Sequence, residues 1–217
     1  MGTLGHEIAH YLNRHNDFNV GAEESKFETR SMEDWADFYG TNLMMSLITF
    51  DECTQAIYAG YEGADNFSIR IESMARALFR LASTFFNVQS AKYAPSMTRV
   101  ASCVNGINSF LDKLNGMNVW RSMGVMQRII LSSELAPLFK AEGLDFPESI
   151  DQTVTVHQAI QGPDPAISVG LAQSLEPFIG TNFITTPEER RQYTEAVRKI
   201  SKDQGLVIPP FEGLRKM

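Results

Sequence analysis

Apolar residues recur at three- and four-residue intervals over most of the first 140 positions, the pattern of helices that each bury one face. Leu4, Ile8, Tyr11 and Leu12 form the first such stripe, on a helix running from about Leu4 to His15. Ser31 reads as the N-cap of a second helix, with Glu33 and Asp34 in the first turn, where the helix dipole favours acids. That helix runs to about Ala59, with a break expected near Thr49 to Asp51. After Asp37 its apolar residues, Phe38, Tyr39, Leu43, Met44, Met45, Leu47 and Ile48, surround the axis, which predicts a central, buried element. A third helix is predicted from Asn66 to Asn87, with a stripe of Ile69, Met74, Ala77, Leu78, Leu81 and Phe85, and with Arg70, Arg76 and Arg80 as surface residues. Further helices are expected over 96–115, 119–141 and 187–204, the last opening on the capping box Thr186-Pro187-Glu188-Glu189.

Between these helices, 143–186 is richer in Pro and Gly. Gln152-Thr153-Val154-Thr155-Val156 alternates as a short strand does, and Gly162-Pro163-Asp164-Pro165 reads as a turn. The expected fold is therefore mainly α with little β structure. Residues 1–142 form the helical core, and 143–217 contribute an irregular segment and a C-terminal helix packed on the same domain. The tail, with Pro209-Pro210, is expected to lie extended over the surface.

Charge and composition then remove several function classes. A net charge of -7 over 217 residues argues against nucleic acid or an anionic membrane as partner. The basic residues Arg190, Arg191, Arg198, Lys199 and Lys202 alternate with acids and read as the solvent face of their helix. Cys53 and Cys103 lack any Cys-x-x-Cys spacing, so neither a disulfide framework nor a thiolate metal site is expected. No apolar run has the length to cross a bilayer and no secretory pattern opens the chain, so a reducing cytoplasm is the expected compartment.

The chemistry is concentrated in His6-Glu7-Ile8-Ala9-His10. Residues four apart on a helix are about 40° apart around the axis and about 6 Å apart along it, so both imidazoles can share a metal. By helical spacing they lie on the side opposite the Leu4-Ile8-Tyr11-Leu12 stripe. Glu7 beside them can take a proton from a metal-activated water. A catalytic metal of this kind takes three protein ligands, and Glu33 is the best candidate for the third. Asp37, four residues further and on the same face, would accept a hydrogen bond from a ligand histidine and hold its tautomer. Ala36 and Gly40 flank that face, and residues this small let a second backbone come close. Glu23, Glu24 and Glu28 are alternative carboxylates in what reads as a solvated loop. His15, nine residues from His6 and half a turn away around a straight helix, reads as a packing or hydrogen-bonding residue.

Gly5-His6-Glu7-Ile8-Ala9-His10 together with Glu33-Asp34-Trp35-Ala36-Asp37 resembles the two signatures of the gluzincin metallopeptidases, and Leu4 to His15 looks like the motif helix of the HtpX-type branch. The resemblance covers about the first forty residues. It implies a zincin-like peptidase domain with the active-site helix at its N-terminus, zinc held by His6, His10 and Glu33, Glu7 as general base, Asp37 as orienting acid, and a protein or peptide substrate. The separation of the two motifs is shorter than in the HtpX-type branch and closer to the thermolysin arrangement. The small sheet that gluzincins place ahead of the motif helix has no counterpart before Leu4. The chain is then a fragment, or takes its substrate-binding edge from elsewhere, or carries a vestigial site. A donor for the tetrahedral oxyanion is expected among His157, Tyr11, Tyr39, Tyr58 and Tyr61, with His157 the best placed, beside the expected strand. The competing function class is a non-catalytic helical interaction protein whose motif holds a structural metal or none.

Overall fold

The computed structural model describes residues 2–17, 25–60, 67–87, 93–130, 134–142 and 150–161. Among them are eight α-helices and no strand: α1 (Gly2–Leu12), α2 (Ser25–Phe50), α3 (Glu52–Ala59), α4 (Phe67–Thr84), α5 (Ser96–Asn115), α6 (Val119–Ile130), α7 (Ala136–Glu142) and α8 (Ile150–Gln161). The mainly helical class expected from periodicity is therefore what the chain adopts. The expected helix over 187–204, its capping box and basic face, the turn at 162–165 and the tail lie outside the described residues.

Helix α2 is the hub, packed by α1, α3, α5 and α8. Its second half joins α4, α5 and α6 in the larger core, around Ile71, Met97, Val100, Ile107, Phe110 and Ile129. Its first half makes a smaller core with α1 through Ala9, Leu12, Ala36, Tyr39 and Leu43. The all-round apolar character of α2 after Asp37 is thus used on every side. The helix begins at Ser25, six residues before the expected Ser31, which is buried inside it. Lys26, Glu28 and Arg30 are good helix formers, and Glu28 occupies the first turn rather than a loop. The expected break falls at Asp51, whose carboxylate accepts hydrogen bonds from the Thr54 backbone N–H at 2.7 Å and hydroxyl at 2.6 Å and so caps α3.

Two helical faces differ from the periodic reading. In α1, Leu4 and Tyr11 are 61% and 67% exposed, and the buried positions are Gly5, Ala9, Leu12 and Asn13. In α4 and the turn that follows it the buried set is Ile71, Met74, Ala75, Leu78, Ala82 and Phe86, while Ile69 and Phe85 face outward. In α1, small residues carry the packed face because its backbone closely approaches that of α2 at Gly5 and Gly40. The expected helix over 119–141 is two helices, and Pro137 sits in the first turn of α7, where its missing N–H costs nothing. The expected strand at 152–156 is instead part of α8, docked on α2. Its β-branched Thr and Val residues favour strands only weakly, and packing overrides that preference. Residues 150–161 thereby join the helical body rather than an irregular segment.

Candidate metal centre

The site is built where α1 crosses α2 with almost no side chain between them. A Cβ on Gly5 would lie 2.6 Å from the Gly40 carbonyl oxygen, and one on Gly40 would lie 2.6 Å from the Gly5 carbonyl carbon. Ala9 and Ala36, both fully buried, extend this contact. Glycine is needed at both positions because any larger residue would push the helices apart. Further along, the Trp35 indole N–H donates to Asn13 Oδ1 at 3.0 Å, and Asn13 Nδ2 donates to the Ala9 carbonyl at 2.8 Å, tying the end of α1 to α2.

This close crossing lets a short acid on α2 reach histidines on α1. His6 Nε2 lies 3.2 Å from Glu33 Oε2, His10 Nε2 lies 3.5 Å from the same oxygen, and the two Nε2 atoms are 3.1 Å apart. His6, His10 and Glu33 thus form a group that could hold a metal ion. Ligands about 2.0–2.2 Å from a tetrahedral ion stand roughly 3.3–3.6 Å from one another, within a few tenths of an ångström of these edges. The spacing of the donor set is close to what such an ion requires.

Asp37 reaches the other nitrogen of His6, with Nδ1 to Oδ1 at 2.8 Å. The same carboxylate takes two hydrogen bonds from Arg99, Nε to Oδ2 at 2.6 Å and one Nη to Oδ1 at 3.0 Å. Arg99 is buried in the first turn of α5, its guanidinium over the Phe86 ring at 3.9 Å and near Tyr93 at 5.0 Å. A cation at that end of a helix opposes the dipole, and this was the one sign in the sequence that Arg99 answers an acid elsewhere. Burial opposes a charged His6, but the hydrogen bonds and charges of Asp37 and Glu33 outweigh it and raise its pKa to about 9. The carboxylates of Asp37 and Glu33 thus favour positive charge on His6.

His15 and His157 join the centre from behind. Helix α1 stops at Leu12, and Arg14 adopts a left-handed φ of 58°, which turns His15 back beneath His10 instead of half a turn away. His15 Nδ1 is 2.8 Å from His10 Nδ1, and His15 Nε2 is 2.9 Å from His157 Nε2 on α8. His157 Nδ1 donates to the Thr153 carbonyl at 2.7 Å, and the ring lies 5.1 Å from that of Trp35. Burial, then the neighbouring imidazoles of His157 and His10, push His15 down to about 2. Burial, opposed by the Thr153 carbonyl, lowers His157 to about 4. Among the oxyanion-donor candidates, His157 is buried with both nitrogens turned to protein partners, Tyr39 is buried, and Tyr11 is exposed. Tyr58 belongs to α3, and Tyr61, like Glu23 and Glu24, lies outside the described residues.

Of the three candidate ligands, His6 also lines a cavity of about 810 Å³. His6, Glu7, Asp37 and Arg99 are among its lining residues, together with apolar residues of α2 and α4 such as Met44, Ile48, Leu78 and Leu81. Glu7 is exposed and adjoins the histidines without joining the group of three. Arg70 and Arg76 border the cavity, and with Arg80 they lie on the exposed side of α4. Cys53 is exposed on α3 and Cys103 is buried on α5, both as free thiols. No helix among the described residues is long and apolar enough to cross a membrane.

The chain matches no protein-family model, no curated protein and no solved structure. Its likeness to the gluzincins rests on the two motifs alone.

Proposed function

We propose that this chain is a zinc-dependent peptidase of gluzincin type, with His6, His10 and Glu33 as metal ligands and Glu7 as general base. The observation that carries the reading is the convergence of those three donor atoms within 4.8 Å of one another, with His6 and Glu7 both lining the adjoining cavity. Two imidazoles and one carboxylate suit zinc better than the hard cations, which prefer all-oxygen sites. When bound, zinc would supply Lewis acidity toward a substrate carbonyl and acidify the attacking water.

The protein's own groups do the rest. Glu7, solvent-facing and next to His6, accepts the proton of the attacking water and returns it to the departing amine. Asp37 accepts from His6 Nδ1–H and so leaves Nε2 facing Glu33 and His10, and Arg99 holds the Asp37 carboxylate in place with two hydrogen bonds. The apolar wall of the cavity receives side chains next to the bond that is cut and excludes water from them. A purely structural zinc would want a fourth protein ligand, whereas among the described residues the group has three.

The experiment is a comparison of the native chain with Glu7→Gln, each assayed for bound zinc and for cleavage of a broad peptide pool. Cleavage by the native chain that is lost in the variant, with zinc retained in both, upholds the reading. Equal cleavage, or none from either, returns the chain to the class of non-catalytic helical proteins.

A further inference from the structure

His157 belongs to none of the roles assigned above, yet it ends a continuous line. The four histidines of the chain stand in single file, His157 to His15 to His10 to His6, joined by nitrogen–nitrogen contacts of 2.9, 2.8 and 3.1 Å. Asp37 and Arg99 continue the line beyond His6.

The direction of every hydrogen bond in this file follows from its far end. A carbonyl oxygen only accepts, so His157 Nδ1 carries a proton toward Thr153. A ring that is 1% exposed is neutral, because burial disfavours the charged form. His157 Nε2 is then a lone pair, and it accepts from His15 Nε2–H. His15, buried as well, has spent its one proton, so its Nδ1 accepts from His10 Nδ1–H. The proton of His10 thus sits at Nδ1, and its Nε2 turns a lone pair toward His6 Nε2 and Glu33 Oε2. Asp37 performs the corresponding task for His6 in a single step.

We propose that His15 and His157 are positioning residues, a tautomer relay that reserves the Nε2 lone pair of His10 for the metal and makes the affinity of the centre depend on the docking of α8. The inference rests on reading His6, His10 and Glu33 as metal ligands. It also gives α8 a role: Thr153 and His157, 142 residues beyond His15 at the closest link, are needed for a motif that looks complete at the start of the chain.

Long-range proton–nitrogen spectra of the full chain, metal-free and zinc-loaded, read the imidazole tautomers directly. The expected result is Nδ1–H at His157 and Nε2–H at His15, with Nδ1–H at His10 once zinc is bound. The opposite tautomer at His15 or His157, or a cationic ring at either at neutral pH, overturns the relay. Zinc titrations of two variants give a second measure. His157→Phe keeps the bulk but removes the acceptor, and should bind zinc about 10–100-fold more weakly. His157→Gln presents an oxygen near the place of Nε2 and should bind as the native chain does. Native affinity in His157→Phe, or equal loss in both variants, contradicts the proposal. If His157→Phe fails to fold, the spectra of the native chain still decide. If the native chain takes up no zinc, the metal reading fails by itself, and the tautomers of His15 and His157 separately uphold or overturn the relay.

Discussion

Gly5 and Gly40 meet backbone to backbone, so closely that a methyl group on Gly5 would stand 2.6 Å from the carbonyl oxygen of Gly40. That contact sets the distance over which Glu33 has to reach. Gly40→Ala should destabilise the fold by about 1–3 kcal/mol through overpacking and weaken zinc binding as well. Gly124 of α6 has nothing within 4 Å of its missing Cβ. Gly124→Ala is the matching control and should be neutral or slightly stabilising by thermal unfolding, since alanine is the better helix former.

Removing Arg99 leaves Asp37 buried with only His6 beside it. Arg99→Met should cost about 3–5 kcal/mol by chemical denaturation, as expected when one partner of a buried pair is lost. Arg99→Lys should recover little, because an ammonium group cannot offer two in-plane N–H donors to one carboxylate while stacking on Phe86.

Zinc affinity should rise with pH. In the metal-free chain His6 has its pKa raised from 6.5 to about 9, so zinc must displace a proton from it over that window. Affinity is therefore expected to increase about tenfold per pH unit below 9 and to level off above. The sign for folding is the reverse: protonated His6 stabilises the metal-free fold fully below 6.5, and the contribution disappears as pH rises through 9. Zinc titrations and unfolding curves over the same pH range read both slopes, and a pH-independent affinity would contradict the assignment of His6.

Asp34, next to the proposed ligand Glu33, is 6% exposed, and neither of its carboxylate oxygens has a hydrogen-bond partner among the described residues. Burial raises its pKa from 3.8 to about 7. The folded chain holds this proton where the unfolded chain has released it, so stability falls as pH rises from about 4 through 7. Asp34→Asn should flatten that slope and be the more stable protein at pH 8, by about 2–4 kcal/mol. Denaturation at pH 5 and pH 8 measures it; a native chain that is no less stable at pH 8 than at pH 5 would speak against a protonated Asp34.

The part of the centre that is local in the chain is legible in the sequence. His6 with His10, and Glu33 with Asp37, are four-residue pairs on helices, and Ala36 and Gly40, which flank the face of the second pair, signal a close crossing. Arg99 and His157 were not legible as partners, because they join Asp37 and His15 across 62 and 142 residues, and only tertiary packing brings them in. The stripe assigned to α1 was misplaced for a related reason. Leu4 and Tyr11 dominate a hydrophobicity pattern by size, whereas the buried contact is made by Gly5 and Ala9, which contribute little to it. A straight helix would carry His15 half a turn from His6, but the turn at Arg14 sends it under His10.

The most direct test of the whole account is X-ray absorption at the zinc edge on the full chain loaded with one equivalent of zinc. The account predicts one tightly held ion per chain, coordinated by two imidazole nitrogens and carboxylate or water oxygen at about 2.0–2.2 Å, with one imidazole lost in His10→Ala and an oxygen ligand changed in Glu33→Gln. Failure to bind one equivalent, sulfur in the coordination sphere, or a spectrum unaltered by either substitution would contradict it.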